Sequence, residues 1–228
     1  MMATHHWILP LYVYFWVLKG RIKIVIEIII ALYQIHQEKA IHRDLHSGNI
    51  LYSQIEQAFG ISDLGFCGPA NKPLNSIYGN LPYIAPEVIA GKETTFASDI
   101  YSFGMLMWEI SSGQPPFINY ENDYDLAMRI INGMRPKIVP KTPLEYKKLM
   151  EQCWDASPDK RPDVITLGIE IDDIRMLYYQ NIPDELETST SQRSDFETNY
   201  TSSRLFTSKV HQFGTFPEPK NATEGMII

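Results

Sequence analysis

Eight consecutive residues constrain this chain more than any others: His42-Arg43-Asp44-Leu45-His46-Ser47-Gly48-Asn49. Asp63-Leu64-Gly65 and Ala85-Pro86-Glu87 follow in order. Taken singly, Asp44 reads as a turn or cap aspartate. Taken together, two carboxylates and an amide can converge on one nucleotide and its metal ions. Mg²⁺ is a hard cation that takes oxygen ligands, usually one or two carboxylates together with substrate phosphates. Asp44, Asn49 and Asp63 supply that chemistry. The pattern fits phosphoryl transfer, which needs positioned groups and neutralised charge more than covalent help.

In this order and spacing the three segments resemble the catalytic loop, metal-binding loop and closing triplet of the eukaryotic protein kinase family. The resemblance implies that Asp44 orients a substrate hydroxyl and accepts its proton. It also implies that Asn49 and Asp63 ligate Mg²⁺, that ATP is the cofactor and that a protein is the substrate. Arg43 is then expected to pair with a phosphorylated or acidic residue of the activation segment, since a guanidinium matches phosphate bidentately. Ser76 and Tyr78 are the candidates; both also read as ordinary loop residues. The middle of that segment holds Gly68, Pro69, Asn71, Pro73 and Asn75, all turn formers, and is expected to be exposed and mobile. Three departures from the family pattern stand out. Leu64 replaces the usual Phe and is expected to pack in its place. His46 stands where serine/threonine kinases usually carry Lys. Asn80 follows Gly79 where Thr is common, although Tyr83 stands at its expected place. Serine/threonine versus tyrosine specificity stays open.

Downstream, Ile100, Phe103, Met107 and Ile110 recur at helical steps, with Met105, Leu106 and Trp108 on other faces. A helix apolar nearly all round is buried, and Ser98 or Asp99 can cap it. It resembles the central helix of the kinase large lobe, in which Asp99 would brace the catalytic loop. Gly113, Pro115 and Pro116 end it. Residues 123–132 and 146–154 read as shorter helices, the latter with Leu149, Met150, Cys153 and Trp154 inward. Cys153-Trp154-Asp155, Pro158 and Lys160-Arg161-Pro162 resemble the tyrosine-kinase and tyrosine-kinase-like groups. Arg161 is expected to pair with Glu87, and Pro162 to open a last helix. Upstream, residues 21–37 read as a helix with Ile22, Ile26, Ile29, Ile30, Tyr33 and Ile35 on its apolar face; Ile24 and Ile28 complicate the period. His36 is expected to pack with a satisfied hydrogen bond. The fold class is mainly α: a kinase-like C-terminal lobe over residues 21–180, a helical bundle with short strands at the catalytic and metal loops. The parent fold is α+β.

The 228 residues contain no Gly-x-Gly-x-x-Gly, and 41 residues precede His42. Lys19 lies too close to the next helix to be the nucleotide-binding strand lysine. The reading is therefore a large lobe without its small lobe, truncated, with inactivity expected; a non-catalytic pseudokinase-like binding module is the alternative. Residues 1–20 form a non-matching apolar N-terminus, interrupted by Pro10 and too short for a membrane span. They read as a remnant of the junction between lobes or as a weak membrane-associating segment. A net charge of −7 gives no reason to expect nucleic-acid binding. Cys67 and Cys153 lack metal spacing and read as free thiols, and the implied location is cytoplasmic. Residues 181–228, rich in Ser, Thr and Asn without an apolar period, are expected to be disordered.

Overall fold

The computed structural model describes residues 8–69, 77–121, 123–180, 207–223 and 227, with the side chains of residues 8–19 and 178–180 excepted. The first helix, α1, spans Ile8–Gln37 and so begins well before residue 21. Pro10 does not prevent this. It sits in the first turn, where an N–H has no partner within the helix. Beyond Gly20 the buried stripe is Ile22, Val25, Ile28, Ile29 and Leu32. Ile28 thus belongs to the core. Ile30 and Tyr33, expected on the apolar face, are turned outward instead.

Short strands follow. β1 (Ala40–Ile41) pairs antiparallel with β4 (Gly68–Pro69). β2 (Ile50–Ser53) pairs antiparallel with β3 (Ala58–Ile61), Ile50 opposite Ile61. Glu27 of α1 anchors this hairpin by accepting the Phe59 N–H at 2.9 Å. β5 (Ile77–Gly79) and the short α2 (Pro86–Ile89) lead into α3 (Phe96–Ser112). Then come α4 (Asp123–Ile131), α5 (Leu144–Cys153) and α6 (Val164–Gln180).

α3 is the axis of the core: every residue from Ser98 to Trp108 is buried. Its cap is Thr95, not Ser98 or Asp99. The Ser98 hydroxyl turns back to accept the Thr95 N–H at 3.0 Å, a capping-box exchange. Asp99 is thereby released for other partners. The helix ends on Gly113 at φ 72°, a left-handed stop that suits glycine. Arg21 of α1 donates to the Ser111 carbonyl at 2.7 Å, which satisfies one of its last acceptors. α5 lies close to α3 because residue 104 is glycine: a Cβ there would stand 2.7 Å from the Cys153 Cβ. α6 starts later than expected. Pro162 precedes the cap, and Asp163 Oδ1 accepts the N–H groups of Ile165 and Thr166 at 2.9 and 2.8 Å.

The expectation of disorder after residue 180 does not hold for residues 207–223; residues 181–206 lie outside the described residues. β6 (Lys209–His211) adds antiparallel to β5, with Ile77 opposite His211 and Gly79 opposite Lys209. The Phe213 and Phe216 rings lie 6.5 and 5.5 Å from that of Tyr124 on α4. Asn221 Oδ1 accepts the Ala156 N–H at 2.6 Å, and the Lys220 N–H donates to the Ile131 carbonyl at 2.8 Å. Gly133, at φ 101°, leaves room for the Asn221 backbone where a Cβ would collide. Average composition hides this docking, because two aromatic rings and one amide anchor an otherwise polar stretch. Among the described residues no helix is long and apolar enough to cross a membrane.

Candidate active site

Asp99 fixes the loop after β1. Its carboxylate accepts the N–H groups of His42 (2.7 Å) and Arg43 (2.9 Å), and His36 Nε2 stands 3.0 Å from Oδ2. Arg43 takes a left-handed conformation at φ 71°, which is uncommon for a residue with a Cβ. Two charge-assisted bonds to adjacent amides hold that turn in place. His42 reinforces it from below by donating from Nε2 to the Ser62 carbonyl at 3.0 Å.

Asp44 and Asn49 meet at the loop's far side. The Asn49 amide nitrogen donates to the Asp44 carbonyl at 2.8 Å and lies 3.4 Å from Oδ2. Its nitrogen end is committed to Asp44, so its oxygen end faces the other way. Burial by itself would raise the Asp44 carboxyl; the imidazole of His46, its Nε2 3.7 Å from Oδ1, the bond from the Ser208 hydroxyl and the nearby His42 ring outweigh it and hold the group below its usual range. Asp44 is a buried carboxylate, able to accept a proton.

Asp63 is brought alongside by its neighbour. The Ser62 N–H and hydroxyl both donate to the Asn49 carbonyl, at 2.8 and 2.9 Å. Asp63 then turns left-handed at φ 55°, with Oδ1 over Gly65, 3.4 Å from where a Cβ would stand. Among the described residues no group of three His, Cys, Asp or Glu could hold a metal. The donor set instead suits Mg²⁺, which binds through one or two carboxylates plus phosphate oxygens. Asp63 and the Asn49 amide oxygen fit that need.

Arg43 reaches the start of the following segment, donating to the carbonyls of Phe66 (3.3 Å) and Pro69 (2.9 Å). Gly68 gives it room: a Cβ there would fall 2.7 Å from Nη1. The segment expected to be mobile is thus paired at both ends, in β4 and β5. Ser76 and residues 70–75 lie outside the described residues. Tyr78 is stacked on Phe66, with ring centroids 3.8 Å apart. Burial, then the charges of Asp44 and Asp63, push its phenol up, so Tyr78 sits in a negative field. Leu64 stands 56% exposed and does not make the packing expected of it. Cys67 is a free thiol pushed up to about 11, chiefly by burial.

Two further clusters support the site. Arg161 grips Glu87 through two bonds of 2.7 Å, and also donates to the carbonyls of Asp155 and Ala97, both at 2.9 Å. The Tyr83 hydroxyl donates to Glu109 at 2.6 Å and lies 3.3 Å from the Ser47 hydroxyl. Burial raises the Glu109 carboxyl, and the bonds from Tyr83 and Ser47 only partly offset it.

Sequence reasoning missed two residues at the centre. Gly79, at φ 137°, lets β5 pass beside Asp44; a Cβ there would lie 3.1 Å from Oδ1. Ser208 donates to Asp44 Oδ1 at 2.7 Å and lies 3.0 Å from His46 Nε2. One hydroxyl in a hydroxyl-rich stretch carries no signal in a single sequence. A glycine between Tyr78 and Asn80 carries a faint one.

Residues 17–171 match the profile of the protein tyrosine and serine/threonine kinase family. The chain is 35% identical over 161 residues to a protein of Acanthamoeba polyphaga mimivirus named as a serine/threonine-protein kinase/receptor; the match covers 68% of this chain and 10% of that protein. It is 32% identical over 165 residues to the dual specificity protein kinase zakA of Dictyostelium discoideum, covering 66% of this chain and 21% of that one. It is also 34% identical over 149 residues to the human dual serine/threonine and tyrosine protein kinase, covering 64% and 16%. The chain therefore spans about a fifth or less of the length of these relatives. With the match covering more than half its residues, the chain belongs to the protein tyrosine and serine/threonine kinase family.

Proposed function

We propose that the chain carries the large lobe of a cytoplasmic protein kinase of the tyrosine-kinase-like group and, against the inactivity expected from its missing glycine-rich loop, transfers the γ-phosphoryl group of ATP to a protein hydroxyl. The observation that carries this reading is the Asp44–Asn49 pair. An ionised, buried carboxylate is fixed by the nitrogen end of an amide whose oxygen end faces away. Family members use ATP and Mg²⁺, which when bound supply the phosphoryl group and neutralise its charge. Asn49 and Asp63 would hold the metal. Asp44 orients the acceptor hydroxyl and takes its proton late in the transfer. Asp99 and Arg161 act at a distance: one sets the backbone of the loop, the other ties the segment ending at Glu87 to the helical base.

The test is Mg²⁺-ATP-dependent labelling of serine, threonine and tyrosine peptides by the purified chain. Transfer should vanish in Asp44→Asn and fall steeply in Asp63→Ala. The labelled residue type decides specificity, and undiminished labelling in Asp44→Asn would sink the reading. A second reading, a non-catalytic docking module, draws on α1. Residues 8–37 are spent on one helix, so Lys19 lies on a helix and not on a strand facing phosphate. On that reading calorimetry would show no heat with Mg²⁺-ATP, while peptide binding persists.

A further inference from the structure

The segment of residues 207–223 does more than pack on the lobe, because it delivers a hydroxyl to Asp44. The bonding pattern around that hydroxyl fixes its hydrogens. His46 Nδ1 accepts the Gly48 N–H at 3.1 Å, so the ring's hydrogen is on Nε2, and Nε2 donates to Ser208 Oγ at 3.0 Å. Ser208 Oγ in turn donates to Asp44 Oδ1 at 2.7 Å. One lone pair of Oγ is thus taken by His46, its proton points at a carboxylate, and a second lone pair stays available for attack.

The flanking contacts hold this pose as a bound peptide would be held. Lys209, the next residue, pairs with Asp123 at the start of α4. His211 Nε2 donates to the Gly79 carbonyl at 3.0 Å. The antiparallel register of β6 on β5 sets how far Ser208 reaches, and glycine at 79 lets β5 run close to the carboxylate. Adding a strand to an exposed edge, with side chains setting register, is a recurring way of recognising an extended peptide. Phe213 and Phe216 anchor the segment downstream.

We propose that Ser208 is a phosphoacceptor presented in cis to Asp44, so that residues 207–223 occupy this chain's own substrate strand site. The inference rests on the kinase reading above. The acceptor class it defines is an extended segment with a serine, a basic residue directly after it and aromatic residues further on. In the step, the Ser208 Oγ–Pγ bond forms and the bond from Pγ to the bridging oxygen of ATP breaks. ADP leaves with that electron pair, and the Oγ proton passes to Asp44. The product then carries about −1.5 to −2 charge beside the Asp44 carboxylate, where like charges repel. Modification releases the strand and opens the site to other peptides.

The full chain tests this in two arms. In the first, it is incubated with Mg²⁺-ATP and a serine peptide of the sequence of residues 204–213, and phosphate is located by mass spectrometry. Phosphate is expected at Ser208, at a fractional rate independent of protein concentration, and absent in Asp44→Asn. A rate that rises with concentration overturns presentation in cis. A labelled peptide with bare Ser208 overturns the inference and leaves the kinase reading intact, whereas no phosphate on either overturns both. The second arm needs no nucleotide: amide exchange at residues 77–79 is compared between the chain and Ser208→Asp. Charge repulsion should speed it about tenfold, with exchange in α3 unchanged as the control for folding. Equal protection of residues 77–79 in both proteins overturns the inference.

Discussion

The helical base and the loop region are held together by different physics. In the base, α3 is buried almost all round and packs on α5 through Gly104, with core side chains that are chiefly aliphatic and aromatic. Such a core tolerates conservative swaps, because burial is non-directional and roughly proportional to area. The loop region has short strands, and the loops that carry Asp44 and Asp63 each turn on a left-handed non-glycine residue, Arg43 and Asp63. It is held by directed bonds to a few buried side chains. What the contrast teaches is that the geometry of the candidate site depends on a handful of polar atoms.

The sharpest way to break the contrast is to place a polar failure in the base. Arg161→Ala leaves Glu87 buried with its charge unmatched. Losing one partner of a buried pair should cost about 3–5 kcal/mol in urea denaturation, more than most core truncations to a smaller aliphatic. A loss under 1 kcal/mol would mean that water or another cation reaches Glu87. Next comes the loop's own anchor. Asp99→Ala strands the His42 and Arg43 amides, at a cost of about 2–3 kcal/mol, with faster exchange at those two amides and little change in α5. Uniform loosening of the whole lobe would show that loop and base are not separable.

A smaller effect probes the strain. Gly79→Ala puts a Cβ at φ 137°, close to the Asp44 carboxylate and Ile84. It should cost about 1–3 kcal/mol and loosen β6 from β5. Asp163→Ala, at the start of α6, should cost about 1 kcal/mol at neutral pH. Backbone N–H bonds, chiefly from Thr166, hold the Asp163 carboxyl below its ordinary value of 3.8. A depressed acid contributes stability above its unfolded value and loses it as pH falls through the folded one. The gap between Asp163→Ala and the parent should therefore close below about pH 3.8; a gap constant to pH 2 would rule out the cap as its source.

Much of the base and the motif residues could be read in the sequence, because both leave local marks. Apolar residues at helical spacing report α3, and the order Asp44, Asn49, Asp63 reports the family that the chain matches. What escaped reading depends on tertiary context or on single atoms. Pro10 looked like a break because proline in a helix interior is one, and nothing local says that residue 10 falls in a first turn. Ile30 and Tyr33 looked internal because the isoleucines of α1 fit more than one stripe, and only the position of α6 and β3 chooses between them. Ser98 and Asp99 compete with Thr95 as local cap signals, although Thr95 and Ser98 form one exchange. The docked segment escaped because its anchors, Phe213, Phe216 and Asn221, are few and without a period. Ser208 escaped because its partner lies 164 positions away.

That distance orders events in time. A chain emerges from its amino end at roughly 5–20 residues per second, and Lys209–His211 come after all six described helices. A newborn lobe can bury α3 and set Asp44 in place while the strand that will cover it is still being made. For on the order of seconds the youngest form of this protein is its most open one.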